Sequence, residues 1–404
     1  MSIGIQQKWI RTPWPSSFPV MTIITGTTAP GFEAVRDAFE QNFADTVDVG
    51  ASVAAYVSGK EVVNLQGGFF DEARTAPYDA NTLQLVFSTT KGATALCVAI
   101  LADRGLVDYS APVARYWPEF AQSGKADITV EQLMSHQAGL FTVDNPPSFD
   151  AVLRWGPIVD ALASQTPYWA PGTTHGYHAL TYGWLAGELV RKVDGRSIGR
   201  FFADEIAGPL GLDFWIGLPE NLEQRVSPLI AAEPLEDDAK AMIDAFMGPA
   251  SNLGRALSLS GAIAFDEAHN VFNSRAVHAA EIPAANGITN ARSLARMYAG
   301  ALGHIDGVTL FSEATRDRIR TRLTTGSDQC IIMETAFGCG FMTHCDFTPY
   351  GGPGSFGHTG AGGSVAFAHP ESGVSFGYAM NKMDNALVGD VRTTRLIDAL
   401  YSCL

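Results

Sequence analysis

The sequence predicts an α/β protein in which both chain ends build one antiparallel sheet, flanked by helices, around a helical insertion. Three observations point there. Strand-like runs occur near the start of the chain and again in its last 70 residues or so, the long middle reads as helix and loop, and the composition supports a large core. Of 404 residues, 46% are hydrophobic and only 17% are charged, a balance that favours a packed interior over disorder. The 41 glycines and 21 prolines are spread along the chain, as turns in a compact fold would be.

Taken in order, residues 1–21 read as an unstructured leader, and residues 22–404 as one unit. Its α/β part spans about 22–85 plus 330–404, and its helical part about 86–329. Residues 31–44 carry Phe32, Val35, Phe39 and Phe43 at spacings of three to four, an amphipathic helix. Residues 51–57 and 61–67 are β-rich runs around Ser58-Gly59-Lys60 and predict a hairpin. Residues 88–104 have helical spacing. Loops are expected at 141–149, 165–176 and 218–237. Strand character returns over 338–344 and 363–368, then over 374–380 after the turn His369-Pro370-Glu371-Ser372-Gly373, and residues 389–402 predict a closing helix.

The formal charge of −15 excludes some partners. So acidic a surface repels a phosphate backbone and gains nothing from an anionic membrane. Five cysteines, an odd number, suggest no disulfide framework in a chain this long. No secretory signal precedes residue 22, and no run of 18 apolar residues could span a bilayer. The expectation is a cytoplasmic protein with reduced thiols.

The chemistry centres on Phe87-Ser88-Thr89-Thr90-Lys91. Residues three apart share a helix face, so Ser88 and Lys91 are neighbours at a helix start. A serine hydroxyl needs a nearby base to become a nucleophile. A lysine serves if burial and the helix dipole lower its pKa, and the same helix end offers N–H groups to a developing oxyanion. The motif alone is weak. With seven lysines in the chain, chance supplies on the order of half a match, and the bland alternative is Ser88 as a helix cap with Lys91 in solvent.

The surroundings are more specific. Segments TLQLVFSTTKGATALCVAILADRGL (82–106), ITVEQLMSHQAGL (128–140), YHALTYGWLAG (177–187) and GHTGAGGS (357–364) follow one another in order. Here the sequence resembles the serine β-lactamase and penicillin-binding-protein-like superfamily over roughly residues 30–402. It is most similar to the class C-like branch, which includes the family VIII carboxylesterases. The resemblance implies the β-lactamase/transpeptidase-like fold and hydrolysis through an acyl-enzyme on Ser88, with Lys91 as its lysine. It implies Tyr177 as general base and then acid, a role a neighbouring lysine cation would favour by stabilising phenolate. His358, Thr359 and Gly360 match the third motif on a strand lining the site, and the backbone N–H groups of Ser88 and Ala361 would form the oxyanion hole. Neither metal nor cofactor is implied.

Two departures bear on substrate. The lactamases carry Tyr-x-Asn where this chain has Tyr177-His178-Ala179, and a lysine where His358 stands. The first loss removes an amide that contacts the substrate's amide. The second replaces a permanent cation, suited to a substrate carboxylate, by a mostly neutral ring. An ester needs neither contact. The expected function is therefore a serine carboxylesterase acting on short-chain acyl esters, a small-molecule substrate. The rivals are a β-lactamase or acyltransferase on the same scaffold and, from another class, a non-catalytic binding descendant.

Other signals carry less. Gly373-Val374-Ser375-Phe376-Gly377 matches G-x-S-x-G, but it follows a hairpin turn and continues as strand, whereas a nucleophile elbow leads into a helix. Gly352 to Gly357 matches G-x-G-x-x-G without a βαβ context. Cys339, His344 and Cys345 fit no zinc spacing. His136, in Ser135-His136-Gln137-Ala138-Gly139-Leu140, resembles the family's H-x-S-G-L turn and reads as structural.

Overall fold

The computed structural model describes residues 23–235, 241, 244, 247–264, 268–303, 305–386 and 390–404. The expected leader lies outside the described residues. Strands β1 (Ile24–Thr28), β2 (Gly50–Val57) and β3 (Lys60–Gly68) come from the beginning of the described chain. Three short strands, β4 (Leu83–Leu85), β5 (Val226–Ser227) and β6 (Ile288–Thr289), make a small separate sheet. The remainder are β7 (Thr324–Ser327), β8 (Glu334–Phe337), β9 (Met342–Thr343), β10 (Phe356–Thr359), β11 (Val365–His369) and β12 (Val374–Met380).

Among the described residues the main sheet has nine strands in the order β1-β3-β2-β12-β11-β10-β9-β8-β7. Both chain ends meet at its centre, where β2 and β12 pair antiparallel from Ala51 opposite Met380 to Val57 opposite Val374. The β2–β3 hairpin turns through Ser58 (φ 49°) and Gly59 (φ 76°). Two left-handed residues match the strand twist, which is why the polar pair interrupts an apolar run.

Alternation along the strands gives the sheet two buried faces. Helix α1 (Glu33–Asp45) packs on the helix Val391–Ser402. Their Val35, Phe39, Leu396 and Leu400 share a core with Val53, Ala55, Phe367 and Phe376. On the opposite face the helix Ala291–Leu302 lies across β2, β11 and β12, against small residues such as Ala54, Ala366 and Ala368. At Gly377 the approach is so close that a Cβ would sit 2.5 Å from the Ala291 carbonyl oxygen. This helix, expected within the helical insertion, is thus a layer of the sheet.

Other boundaries differ for local reasons. Of the expected strand 338–344 only β9 is strand, because β8 ends at Phe337 and the chain then turns through Gly340 at φ 90°. The strand expected from 363 begins at Val365, after Gly362 and Gly363 turn the chain at φ 82° and 125°. The expected loop 218–237 contains a 3₁₀ helix over Glu220–Arg225 and then β5; its last two residues lie outside the described residues. Helix α2 (Thr90–Asp103) starts two residues later than expected and is buried from Thr90 to Leu101. Buried on every side, it shows no amphipathic stripe. No helix among the described residues is long and apolar enough to cross a membrane.

Candidate active site

Ser88 sits in the turn between β4 and α2. The preceding Phe87 has φ 43°, a left-handed conformation that is costly for a bulky residue and persists only where its surroundings hold it. Thr90 holds it here. Its hydroxyl donates to the Phe87 carbonyl at 2.5 Å and accepts from Gly287 N–H at 2.8 Å. The turn exposes Ser88 to a cavity and buries Lys91 behind it.

Lys91 is fully buried. Its Nζ lies 3.0 Å from Ser88 Oγ, 2.7 Å from the Ala179 carbonyl and 2.9 Å from the Ala284 carbonyl. Burial holds its pKa well below the usual lysine range. A neutral amine has two N–H donors and one lone pair. In the neutral amine the two carbonyls take the donors and the lone pair is left for the serine hydroxyl; the ammonium would donate to all three oxygens.

Tyr177 lies on the other side. Its ring centroid is 4.8 Å from Lys91 Nζ, and it lines the same cavity as Ser88. Burial pushes the phenol pKa up, the neighbouring Ser88 opposes this, and the Asp328 charge adds to it. Both shifts run against the ammonium–phenolate pair that the resemblance implies: burial penalises each charged form. Neutral histidines pack around the phenol. His136, 5.2 Å from the Tyr177 ring, accepts at Nδ1 from His178 N–H at 3.1 Å. His178 accepts at Nε2 from Leu140 N–H at 2.9 Å, and burial lowers its pKa to about 4.

The segment after the third motif is tied to the turn that carries Ser88 through Ser364, whose hydroxyl donates to the Val86 carbonyl at 2.8 Å and lies 3.0 Å from Thr89 Oγ1. A Cβ at Gly360 would fall 2.3 Å from both Val86 O and Ser364 Oγ, so only glycine lets β10 come this near. The loop beyond is held by Arg392, a fully buried guanidinium that donates to Gly362 O at 2.6 Å and pairs with Asp390 and Asp48.

Ser88 and Tyr177 open onto a cavity of about 500 Å³ together with Thr359, Gly360 and Ala361. Its walls are largely apolar, including Leu253, Leu257, Ile331, Met333 and Phe347; Asp390 and Asp398 are its acidic residues, and no described lining residue is lysine or arginine. Five of the seven expected site residues thus line one cavity, with Lys91 directly beneath. His358 departs from expectation. It is wholly buried, its ring lies tilted at 6.0 Å from the Tyr177 ring, and it is absent from the described lining. Its Nδ1 lies 2.7 Å from the Thr359 carbonyl. Burial first, then the nearby Lys91, lower its pKa to about 3. The reason is the strand's period of two: His358 faces the opposite side of β10 from its neighbour Thr359.

The other signals resolve structurally. Ser375 is buried in β12 between Tyr56 and Ala368, and Gly377 is the close-approach point described above. Gly352–Ser355 is a turn that leads into a strand. Among the described residues no cluster of three or more His, Cys, Asp or Glu could hold a metal ion.

Comparisons with known proteins bear on the family and the fold. The Beta-lactamase family profile matches residues 38–401. Esterase/beta-lactamase LipL of Mycobacterium tuberculosis is 36% identical over 379 residues, covering 90% of this chain and 84% of that protein. The crystal structure of a family VIII carboxylesterase superposes with a TM-score of 0.85 at 38% identity, covering 95% of this chain and all of the other. A penicillin-binding protein homologue from Caulobacter crescentus gives a TM-score of 0.84 at 39% identity, with the same coverage.

Proposed function

The chain belongs to the beta-lactamase family of serine hydrolases, and from that membership we propose that it is a carboxylesterase in which Ser88 attacks, Lys91 takes the proton and Tyr177 returns it. It is an esterase-type serine hydrolase, as its relatives are. Acylation forms the bond from Ser88 Oγ to the acyl carbon, while the hydroxyl proton passes to the Lys91 lone pair 3.0 Å away. The phenol of Tyr177 gives its proton to the departing alkoxide and regains one from Lys91. The N–H groups of Ser88 and Ala361 stabilise the oxyanion, a contribution of about 3–4 kcal/mol per donor in comparable sites. Water then attacks the acyl-enzyme by the same relay in reverse.

The observation that carries the choice of substrate is the cavity: largely apolar, with two carboxylates and no described cation. A neutral acyl ester loses nothing there, whereas a substrate bearing a carboxylate finds no partner and meets Asp390 and Asp398. Short acyl chains fit within about 500 Å³ with room to spare. All five cysteines are free, which supports a reducing, cytoplasmic setting. The test is a fluorophosphonate probe followed by mass spectrometry, beside kcat/KM for a nitrophenyl ester and a chromogenic cephalosporin. An adduct away from Ser88, or a cephalosporin turned over as well as the ester, overturns the reading.

A further inference from the structure

We propose that Asp328 is a positioning residue that ties the backbone of Tyr177 to the apolar rim of the acyl cavity, so that the proton relay and the acyl-binding wall are set by one side chain. The inference rests on the role given to Tyr177 above. Asp328 is 1% exposed and lies just beyond β7. One of its carboxylate oxygens, Oδ1, accepts three backbone N–H bonds: from Tyr177 at 3.0 Å, from Cys330 at 2.8 Å and from Ile331 at 2.9 Å. The other, Oδ2, accepts from the Thr335 hydroxyl at 3.1 Å, and that hydroxyl lies 2.9 Å from His175 Nε2.

Two segments distant in sequence therefore converge on one atom. The first carries Tyr177. The second is the turn over residues 328–333, closed by Asp328 N–H to Met333 O and Ile332 N–H to Asp328 O, both at 3.0 Å. Three residues of this turn, Ile331, Ile332 and Met333, line the cavity. Ile332 has φ 60° and is 55% exposed. A β-branched residue in the left-handed region is strained, and an exposed isoleucine recovers little of that by burial. The turn is thus held by bonds to Asp328 rather than by its own preference. A buried carboxylate is stable only when its lone pairs are satisfied, and these donors do so only if both segments stay in place.

The geometry predicts a coupled defect. Asp328→Ala removes the anchor from Tyr177 and from the rim together. With active sites counted by fluorophosphonate titration, kcat for nitrophenyl butyrate should fall about 30-fold or more. KM should rise little for butyrate and about tenfold for octanoate, whose chain reaches the rim. Asp328→Asn keeps an oxygen for the three N–H groups and should recover at least about tenfold of the lost kcat. Global destabilisation would lower the titrated site count but not kcat per site. If the alanine variant does not fold, Asp328→Glu, which displaces the oxygens by one methylene, replaces it with the same expectation. The proposal is overturned if kcat per site stays within about threefold of wild type, or if Asn restores nothing over Ala. Tyr177→Phe measured alongside separates the claims. Full turnover in that variant removes the role given to Tyr177, whereas a dead Tyr177→Phe beside an unimpaired Asp328→Ala removes only the role given to Asp328.

Discussion

The Nζ of Lys91 stands 3.0 Å from the Oγ of Ser88, and its other polar partners are both backbone carbonyls. No carboxylate is among these contacts, so no ion pair offsets the burial that lowers the pKa of this lysine. Burial suits this lysine to the part of base proposed for it above.

Removing either half of the relay should be severe. Lys91→Ala and Tyr177→Phe are each expected to lower kcat by about a hundredfold or more, and the double variant should be little worse than either alone, because the two groups move one proton. Steady-state kinetics on all three variants decides it. Additive losses would mean independent roles.

The same buried lysine makes stability depend on pH. In the unfolded chain Lys91 holds its proton up to about its ordinary value of 10.5, whereas the folded protein releases it well below that. Between those values the unfolded state binds more protons, so wild-type stability rises with pH, by at most about 1.4 kcal/mol per unit from this group. Lys91→Met lacks the effect. Its melting temperature relative to wild type should therefore drop as pH rises from 7 to 9.5. Parallel melting curves across that range would show that Lys91 is not held neutral.

Ser375 supplies the contrast to Ser88. Its hydroxyl is buried with no hydrogen-bond partner among the described residues. Ser375→Ala should leave esterase activity within a few-fold and hold or raise the melting temperature, since an unsatisfied buried hydroxyl costs about 1–3 kcal/mol. Ser88→Ala should abolish turnover. An adduct on Ser375 after covalent inhibition would reverse the assignment.

Substrate preference follows from the wall of the cavity. On one preparation, kcat/KM for nitrophenyl butyrate should exceed that for a chromogenic cephalosporin by at least about a hundredfold, because a site lacking the matching polar groups cannot recover their interactions. His358→Lys should not narrow the gap: the new cation would be buried behind Tyr177 at a cost in stability. Thr394→Lys, on the exposed rim of the cavity, should narrow it, and salt should weaken that effect. A ratio near one in the parent enzyme would make it a β-lactamase.

Legibility followed how local each interaction is. The Ser88–Lys91 pair was readable because both lie on one helical turn, and the hairpin because Ser58-Gly59 separates two apolar runs. What Lys91 touches was not readable, since the acceptors are the carbonyls of Ala179 and Ala284 and a carbonyl carries no residue identity. Arg392 and Asp328 were missed for a related reason: each acts on backbone atoms of a distant segment, and nothing in their own neighbourhoods marks them. The polar strand β1 gave no apolar alternation, and its pairing with β3 is what makes it a strand. His358 was assigned to the site by motif position, but the side of β10 it faces depends on register.

The central pairing of β2 with β12 has a consequence for biosynthesis. Ser88 and Ala361, the two proposed oxyanion donors, leave the ribosome roughly 14–55 s apart at 5–20 residues per second. Until β12 docks beside β2, the edge of β2 has no partner and the loop that Arg392 holds cannot form. A nascent chain of this enzyme therefore carries Ser88 for most of its synthesis without the rest of the candidate site, and its exposed β2 edge makes this interval the one in which a chaperone matters most.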